Sequence, residues 1–193
     1  MEDPVLHLIA GPNGAGKSTL FQEVLRLSHL EFVNADVIAA QRWPAAALEH
    51  AYEAAAIAES QRSAFIEARR SFVAETVFSH ESKVQLMRDA VAAGYLVSLH
   101  VVLIPEALAV ARVVDRVANG GHDVPEEKVR GRFARLWSHV RDAIDIADDV
   151  DVYDNSSATE PFRLVATFAR GRIVGDARWP AWTPADLRSA GRR

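Results

Sequence analysis

The sequence predicts an α/β fold in three layers, a mostly parallel sheet with helices on both faces. Three observations carry that prediction. Short apolar runs alternate with helix-patterned segments along the chain. A glycine-rich turn, GPNGAGKS, separates the first apolar run from the first helix. YLVSLHVVLI, residues 95–104, is the most continuous apolar run and reads as a central strand covered on both sides.

The elements follow in order. PVLHLIAG (4–11) ends in glycine and reads as a buried strand. From Gly16 the pattern turns helical, with Leu20, Val24 and Leu27 at helix spacing, and EFVNAD (31–36) is a second short strand. The alanine-rich, glycine-free segment from about Ala45 to Arg70 favours helix. SFVAET (71–76) is a third strand, and the helix over 82–93 stops at Gly94. After the 95–104 strand a helix runs from Glu106 to Ala118 and breaks at NGGHDVP. Another starts near Asp123, where Asp123 and Glu126 have capping-box spacing, and continues towards Ile146. DVDVYDN (149–155) is a short strand, and FRLVATFARGRIV (162–174) reads as a hairpin turning at Arg170-Gly171.

Composition narrows the function classes. The 193 residues are expected to form one domain with its own core. Hydrophobic content of 49% and charged content of 25% are those of a soluble globular protein. With no cysteine there is neither a disulfide nor a thiolate metal site, and a cytoplasmic setting is expected. Acidic Glu2 and Asp3 after Met1 do not resemble a signal peptide, and no run has the length of a membrane span. A net charge of −4 gives no global attraction to nucleic acid. The histidines other than His122 lack metal-ligand spacing and are assigned no role, and the four tryptophans, which show no alternation with basic residues, read as packing.

GPNGAGKS fits the Walker A pattern G-x-x-x-x-G-K-[ST] at Gly11, Gly16, Lys17 and Ser18, with a strand before it and a helix after it. Glycines let the backbone curl so that successive N–H groups face phosphate oxygens. The nucleotide-binding stretch is therefore Gly11, Pro12, Asn13, Gly14, Ala15, Gly16, Lys17, Ser18 and Thr19. Lys17 reaches the β- and γ-phosphates, and the Ser18 hydroxyl is the Mg²⁺ ligand. The fold expected is a P-loop NTPase sandwich with an arginine-bearing helical lid over roughly residues 112–135 and a C-terminal hairpin.

In motor and switch NTPases an apolar strand ends in an Asp that holds Mg²⁺ through water, whereas the 95–104 strand here runs into Pro105. The strand-end aspartate is Asp36, one helix beyond the P-loop, where a carboxylate accepts a proton from a substrate hydroxyl attacking the γ-phosphate. Capping the VIAA helical turn is a second role for Asp36, compatible with the first. Glu75 positions an acceptor hydroxyl, holds a metal-bound water, or is simply a solvated strand-end carboxylate. Phosphoryl transfer also needs cations. Arg112 and Arg116 share one helix face, and Arg130, Arg132 and Arg135 follow beyond a loop whose Gly120 and Gly121 are candidate hinges. A surface pair with Asp115 or Glu127 is the plain alternative for any one of these arginines.

The ordered set GPNGAGKST, FVNADVIA, FVAETVFS, RVANGGHDVPEEKVRGRF and YDNS resembles the small bacterial zeta-toxin-like P-loop proteins, in particular the branch described as predicted ATPases. The resemblance reaches to about Ser156. Zeta toxins use ATP or GTP with Mg²⁺ to phosphorylate the 3′-hydroxyl of the amino sugar in UDP-N-acetylglucosamine, and an antitoxin protein blocks the nucleotide site. The resemblance implies phosphate and Mg²⁺ contacts for Lys17 and Ser18, the catalytic base for Asp36, a substrate-positioning carboxylate for Glu75 and a lid arginine for Arg116. It departs at the second lid arginine, where His122 stands nearby and Arg130 or Arg132 takes the place. Full toxins carry longer insertions for the sugar nucleotide. The function expected is a kinase acting on a hydroxyl of a small metabolite. The alternative is a nucleotide-binding regulatory protein or toxin–antitoxin component that acts through protein association, with the 45–70 segment as a docking surface. A nucleic-acid kinase would require a basic groove near Asp36.

Overall fold

A computed structural model describes residues 3–118 and 124–191. Its centre is strand β1 (Val5–Ala10), hydrogen-bonded in parallel to β3 (Phe72–Thr76) on one side and β4 (Leu96–Leu103) on the other. Beyond β3 lies β2 (Glu31–Val33), and beyond β4 lies β5 (Asp149–Asp154), both parallel. Two antiparallel strands, β6 (Arg163–Ala169) and β7 (Arg172–Val174), complete the sheet in the order β2-β3-β1-β4-β5-β6-β7. The chain leaves β1 towards one edge, returns through β3 beside β1, and then crosses to the other side. The carboxyl end of β1 is thus a topological switch point, where an open α/β sheet forms its crevice.

Alternation decides which helices cover which face. Leu6, Leu8, Val97, Leu99, Val101 and Leu103 point to one side. There they meet α3 (Ala51–Glu67), α4 (Ser82–Ala92), α6 (Glu126–Ile144) and α7 (Ala185–Ser189). Ile9, Val73, Val102 and Ile104 point to the other side, onto α1 (Lys17–Leu20) with its continuation and onto α5 (Glu106–Ala118). Burial on both faces is why β4 reads as the most continuous apolar run of the chain. Each fully buried Leu or Ile contributes roughly 1.5–3 kcal/mol. Trp137 is in the core, Trp179 and Trp182 pack against it, and Trp43 stacks on His50. Among the described residues no helix is long and apolar enough to cross a membrane.

Three local features differ from the sequence expectation, each for a physical reason. The helix after Gly16 passes into a π turn over Phe21–Leu25 and a 3₁₀ turn over Arg26–Ser28. The wider π turn rotates the later residues, so Phe21 and Leu25 are buried while Val24 and Leu27 face solvent. Strand β2 stops at Val33 because the Asn34 side chain accepts hydrogen bonds from the Asp36 and Val37 N–H groups and starts helix α2 (Ala35–Arg42). Helix α3 begins at Ala51, not Ala45. Residues 44–50 form turns after Pro44, with Ala46, Glu49 and Ala51 each bonding three residues back, and the Trp43–His50 stack at 4.4 Å closes them. The hairpin is as expected: Arg170 and Gly171 both have positive φ, the geometry of a type I′ turn.

A polar cluster interrupts the apolar face of β1, β4 and β5 that carries Ile9 and Val102. His7 Nδ1 and His100 Nε2 are 3.1 Å apart, with Ser98, Asp149, Asp151 and Tyr153 around them. Burial lowers the His100 pKa from 6.5 to about 4, reinforced by His7 and opposed by Asp151 and Asp149. The folded protein therefore holds a neutral imidazole that the unfolded chain protonates below pH 6.5. Its contribution is complete above that pH and is lost as pH falls towards 4, a change of roughly 3 kcal/mol. His100→Gln is expected to flatten the acid limb of a urea-denaturation stability profile between pH 6.5 and 4. A limb of unchanged slope in the variant would show that His100 does not titrate this way.

Candidate active site

The P-loop is shaped by what surrounds its glycines. A Cβ on Gly11 would lie 2.6 Å from the Val102 carbonyl oxygen, so only glycine lets the loop leave β1 this close to β4. Gly16 has φ +91°, and a Cβ there would meet the Asn155 amide at 2.6 Å. The loop carbonyls are tied outwards: Asn155 Nδ2 donates to Ala15 O at 2.8 Å, while Arg112 donates to Gly14 O at 3.4 Å and to Asn155 O at 3.0 Å. Because the peptide is planar and trans, fixing Ala15 C=O turns the Gly16 N–H the opposite way. Arg112 thus clamps the loop, and Asn155, at the end of β5, is its second anchor.

Lys17 is 7% exposed, and its ammonium donates to Pro12 O at 3.0 Å. Desolvation lowers its pKa, opposed by Glu75 and Asp36 and reinforced by Arg116 and Arg132. Glu75 lies 3.9 Å from the ammonium through Oε1. Its Oε2 accepts from Ser18 Oγ and from Asn34 Nδ2, both at 2.7 Å. The buried Asn34 amide has one possible orientation, since its Oδ1 receives two backbone N–H groups and its Nδ2 faces a carboxylate. Asp36, relieved of the capping role, stands exposed in the first turn of α2.

These groups border one cleft of about 480 Å³ at the carboxyl end of the sheet. Of the residues expected at the site, Asn13, Gly14, Gly16, Lys17, Ser18, Thr19, Asp36, Glu75 and Arg116 line it. Gly11, Pro12 and Ala15 are buried behind them. Arg132 is half-buried on α6 and adds to the positive field at Lys17. Arg130 does not come to the cleft. It pairs with Glu126 at 2.8 Å and Glu106 at 3.1 Å on the surface, and the Glu126–Arg130 spacing of four already signals that pair. Gly120, Gly121, His122 and Asp123 lie outside the described residues. A second cavity of about 420 Å³ between α2 and α3 also has Asp36 on its wall. Asn34, Glu59, Arg62 and Lys83 line the main cleft without having been singled out in the sequence. The asparagine before Ala-Asp is a helix-start signal that would have found the first of them.

The clamp makes a prediction. Asn155→Ala removes a buried hydrogen bond and leaves Ala15 O without its partner, a loss of about 1–3 kcal/mol in denaturant unfolding. ADP affinity, measured by calorimetry, is expected to fall with it. Unchanged stability and unchanged affinity would mean that Asn155 does not fix the loop.

Comparison with known proteins places this geometry. The AvrRxo1-ORF1:AvrRxo1-ORF2 complex contains a chain that superposes with a TM-score of 0.70 at 17% identity, over 89% of this chain and 60% of that one. This chain therefore spans about 60% of that neighbour's length. A structure of the PezAT chromosomal toxin-antitoxin system of Streptococcus pneumoniae matches with a TM-score of 0.59 and 15% identity, over 80% and 68% of the two chains. A putative kinase from Chloroflexus aurantiacus gives 0.55 and 16%, over 69% and 79%. At these identities the likeness is one of fold. No curated protein sequence shows significant similarity to the chain. The family described as AAA domain matches residues 6–136, which hold the P-loop, Asp36, Glu75 and Arg116, and the chain belongs to that family.

Proposed function

We propose that the chain is a P-loop kinase that transfers the γ-phosphoryl group of ATP or GTP to a hydroxyl of a small metabolite. One observation carries this reading: the exposed Asp36 carboxylate shares a single cleft with Lys17, Ser18 and the glycine loop. The seven-stranded sheet, running from residue 5 to residue 174, supports reading the chain as one kinase-like domain.

The P-loop amides and the Lys17 ammonium bind the donor phosphates. Ser18 and Glu75 fit a hard cation: a hydroxyl and a carboxylate oxygen already lie 2.7 Å apart beside Lys17. Mg²⁺ commonly keeps several waters and takes further ligands from substrate phosphates, so two protein oxygens suffice to hold it. Mg²⁺ bound there would offset charge on the phosphate oxygens. Asp36 takes the proton of the acceptor hydroxyl as the hydroxyl oxygen bonds to the γ-phosphorus and the bond to the β-phosphate oxygen breaks, releasing the nucleoside diphosphate. Arg116, with Arg132 as the second lid arginine, steadies the charge on the group in transit. Glu75 serves the metal side of the site, since Ser18 and Asn34 occupy its Oε2.

The finer reading is zeta-toxin-like: a UDP-amino sugar such as UDP-N-acetylglucosamine as acceptor, and an antitoxin as protein partner. The two-component assemblies named for the AvrRxo1 and PezAT neighbours support a partner of that kind. With γ-labelled ATP and a metabolite extract containing UDP-N-acetylglucosamine, label is expected in a small-molecule product. Asp36→Asn is expected to slow transfer by about 10²–10⁴-fold while leaving ATP binding intact. Label found only in inorganic phosphate, or full activity in the variant, would refute the kinase assignment or the role of Asp36 respectively.

A further inference from the structure

Two cations in the cleft have no part in the chemistry above. Arg62 closes a stripe of Ala54, Ala58 and Arg62 at four-residue spacing on α3, and it is only 7% exposed. Lys83 sits half-buried in the first turn of α4. Both line the cleft that holds Asp36 and Lys17, and they come from helices on the face of the sheet opposite to α5, which carries Arg112 and Arg116. Among the described residues, no side-chain hydrogen bond and no ion pair within 4.0 Å holds either charge. Glu59, one turn before Arg62, acts on both and only partly offsets them.

Arginine and lysine are almost never withdrawn from water without a counter-charge. Here Arg62 is buried and Lys83 half-buried, close enough for Arg62 to disfavour the lysine's charge, on the wall of one cleft. The donor phosphates have their own cradle in the P-loop, Lys17 and Arg116. We propose that Arg62 and Lys83 form a second anion subsite, which holds a phosphate or diphosphate group on the phosphoryl acceptor. This rests on the kinase reading and narrows it: the acceptor is a phosphorylated small molecule, such as a nucleoside diphosphate conjugate, and not a neutral sugar. A neutral acceptor would displace water from the pair and leave both charges unmatched. An anion in reach of both supplies the missing counter-charge, with the guanidinium free to bind it through two N–H groups. Burial pushes both groups below their ordinary pKa, and a bound anion reverses that shift.

The test is calorimetric titration of inorganic pyrophosphate into protein saturated with Mg²⁺ and a non-hydrolysable ATP analogue. A second saturable site is expected, weakened about tenfold or more by Arg62→Gln and by Lys83→Gln, and partly retained in Arg62→Lys. Analogue affinity and melting temperature report that the variants are folded. No second site, or equal affinity in the double variant, overturns the proposal. The same titration in Lys17→Ala protein, with and without the two changes, reads the pair when no nucleotide binds, so failure of the kinase reading is told apart from failure of the subsite. Displacement of pyrophosphate by a single-stranded oligonucleotide at lower concentration than by a nucleoside diphosphate sugar would overturn the small-molecule assignment.

Discussion

A lysine ammonium held almost out of water is the constraint around which the carboxyl end of this sheet is built. Withdrawing Lys17 from solvent disfavours its charged form, and the surroundings supply what water would have given. The Pro12 carbonyl accepts from it, and the Glu75 carboxylate lies 3.9 Å away. Glu75 is placed there by strand order: its residue pairs with Ile9 of β1, so its side chain rises from the neighbouring strand beside the loop. The glycines have the complementary task. They bring the loop so close to β4 and to Asn155 that any side chain at positions 11 or 16 would collide. A cation, its counter-charge and a loop bare of side chains where it meets β4 and Asn155 make a cradle for phosphate oxygens, and none of the three works alone.

What could be read from the sequence follows from how local each signal is. The motif and the strand before it lie within 18 residues of the amino terminus, and the buried strands announce themselves as apolar runs, so the sheet and the phosphate loop were legible. The π turn after the loop was not, because it changes only the rotation of a helix whose spacing looks ordinary. The 44–50 turns were hidden because alanine favours helix wherever it stands, while Pro44 and a stacking contact at long side-chain reach decide otherwise. Arg62 was invisible for a different reason. On an alanine-rich helix a single arginine reads as a surface charge, and only the fold carries it into a cleft beside a lysine 21 residues further along.

Charge within the cleft runs against charge of the chain. Five cations line it (Lys17, Arg62, Lys83, Arg112 and Arg116) against three carboxylates (Asp36, Glu59 and Glu75), although the chain as a whole carries −4. A positive crevice in a negative protein concentrates small anions there while the outer surface repels long polyanions. The cations are also sorted by commitment. Arg112 is held by backbone carbonyls and acts as part of the scaffold, Lys17 is packed into the loop, and Arg62 and Lys83 face the cleft without a partner among the described residues. That sorting is why net charge alone was a poor guide to what the cleft accepts.

Asn34 joins the two halves of the site. Its carbonyl oxygen caps the helix that carries Asp36, and its amide nitrogen holds the Glu75 oxygen that also receives Ser18. A carboxylate cannot donate to the amide oxygen, and a backbone N–H cannot accept from the amide nitrogen, so the side chain cannot flip without breaking every bond it makes. The position of the proposed base is therefore tied, through one buried amide, to the carboxylate beside Lys17 and Ser18. An aspartate at this position would cap the helix equally well, but it would face Glu75 with like charge and no donor, and the link between the halves would become a repulsion. Cap and link together require the one short side chain that accepts at one atom and donates at the other, which is why the sequence places asparagine at the point where β2 ends.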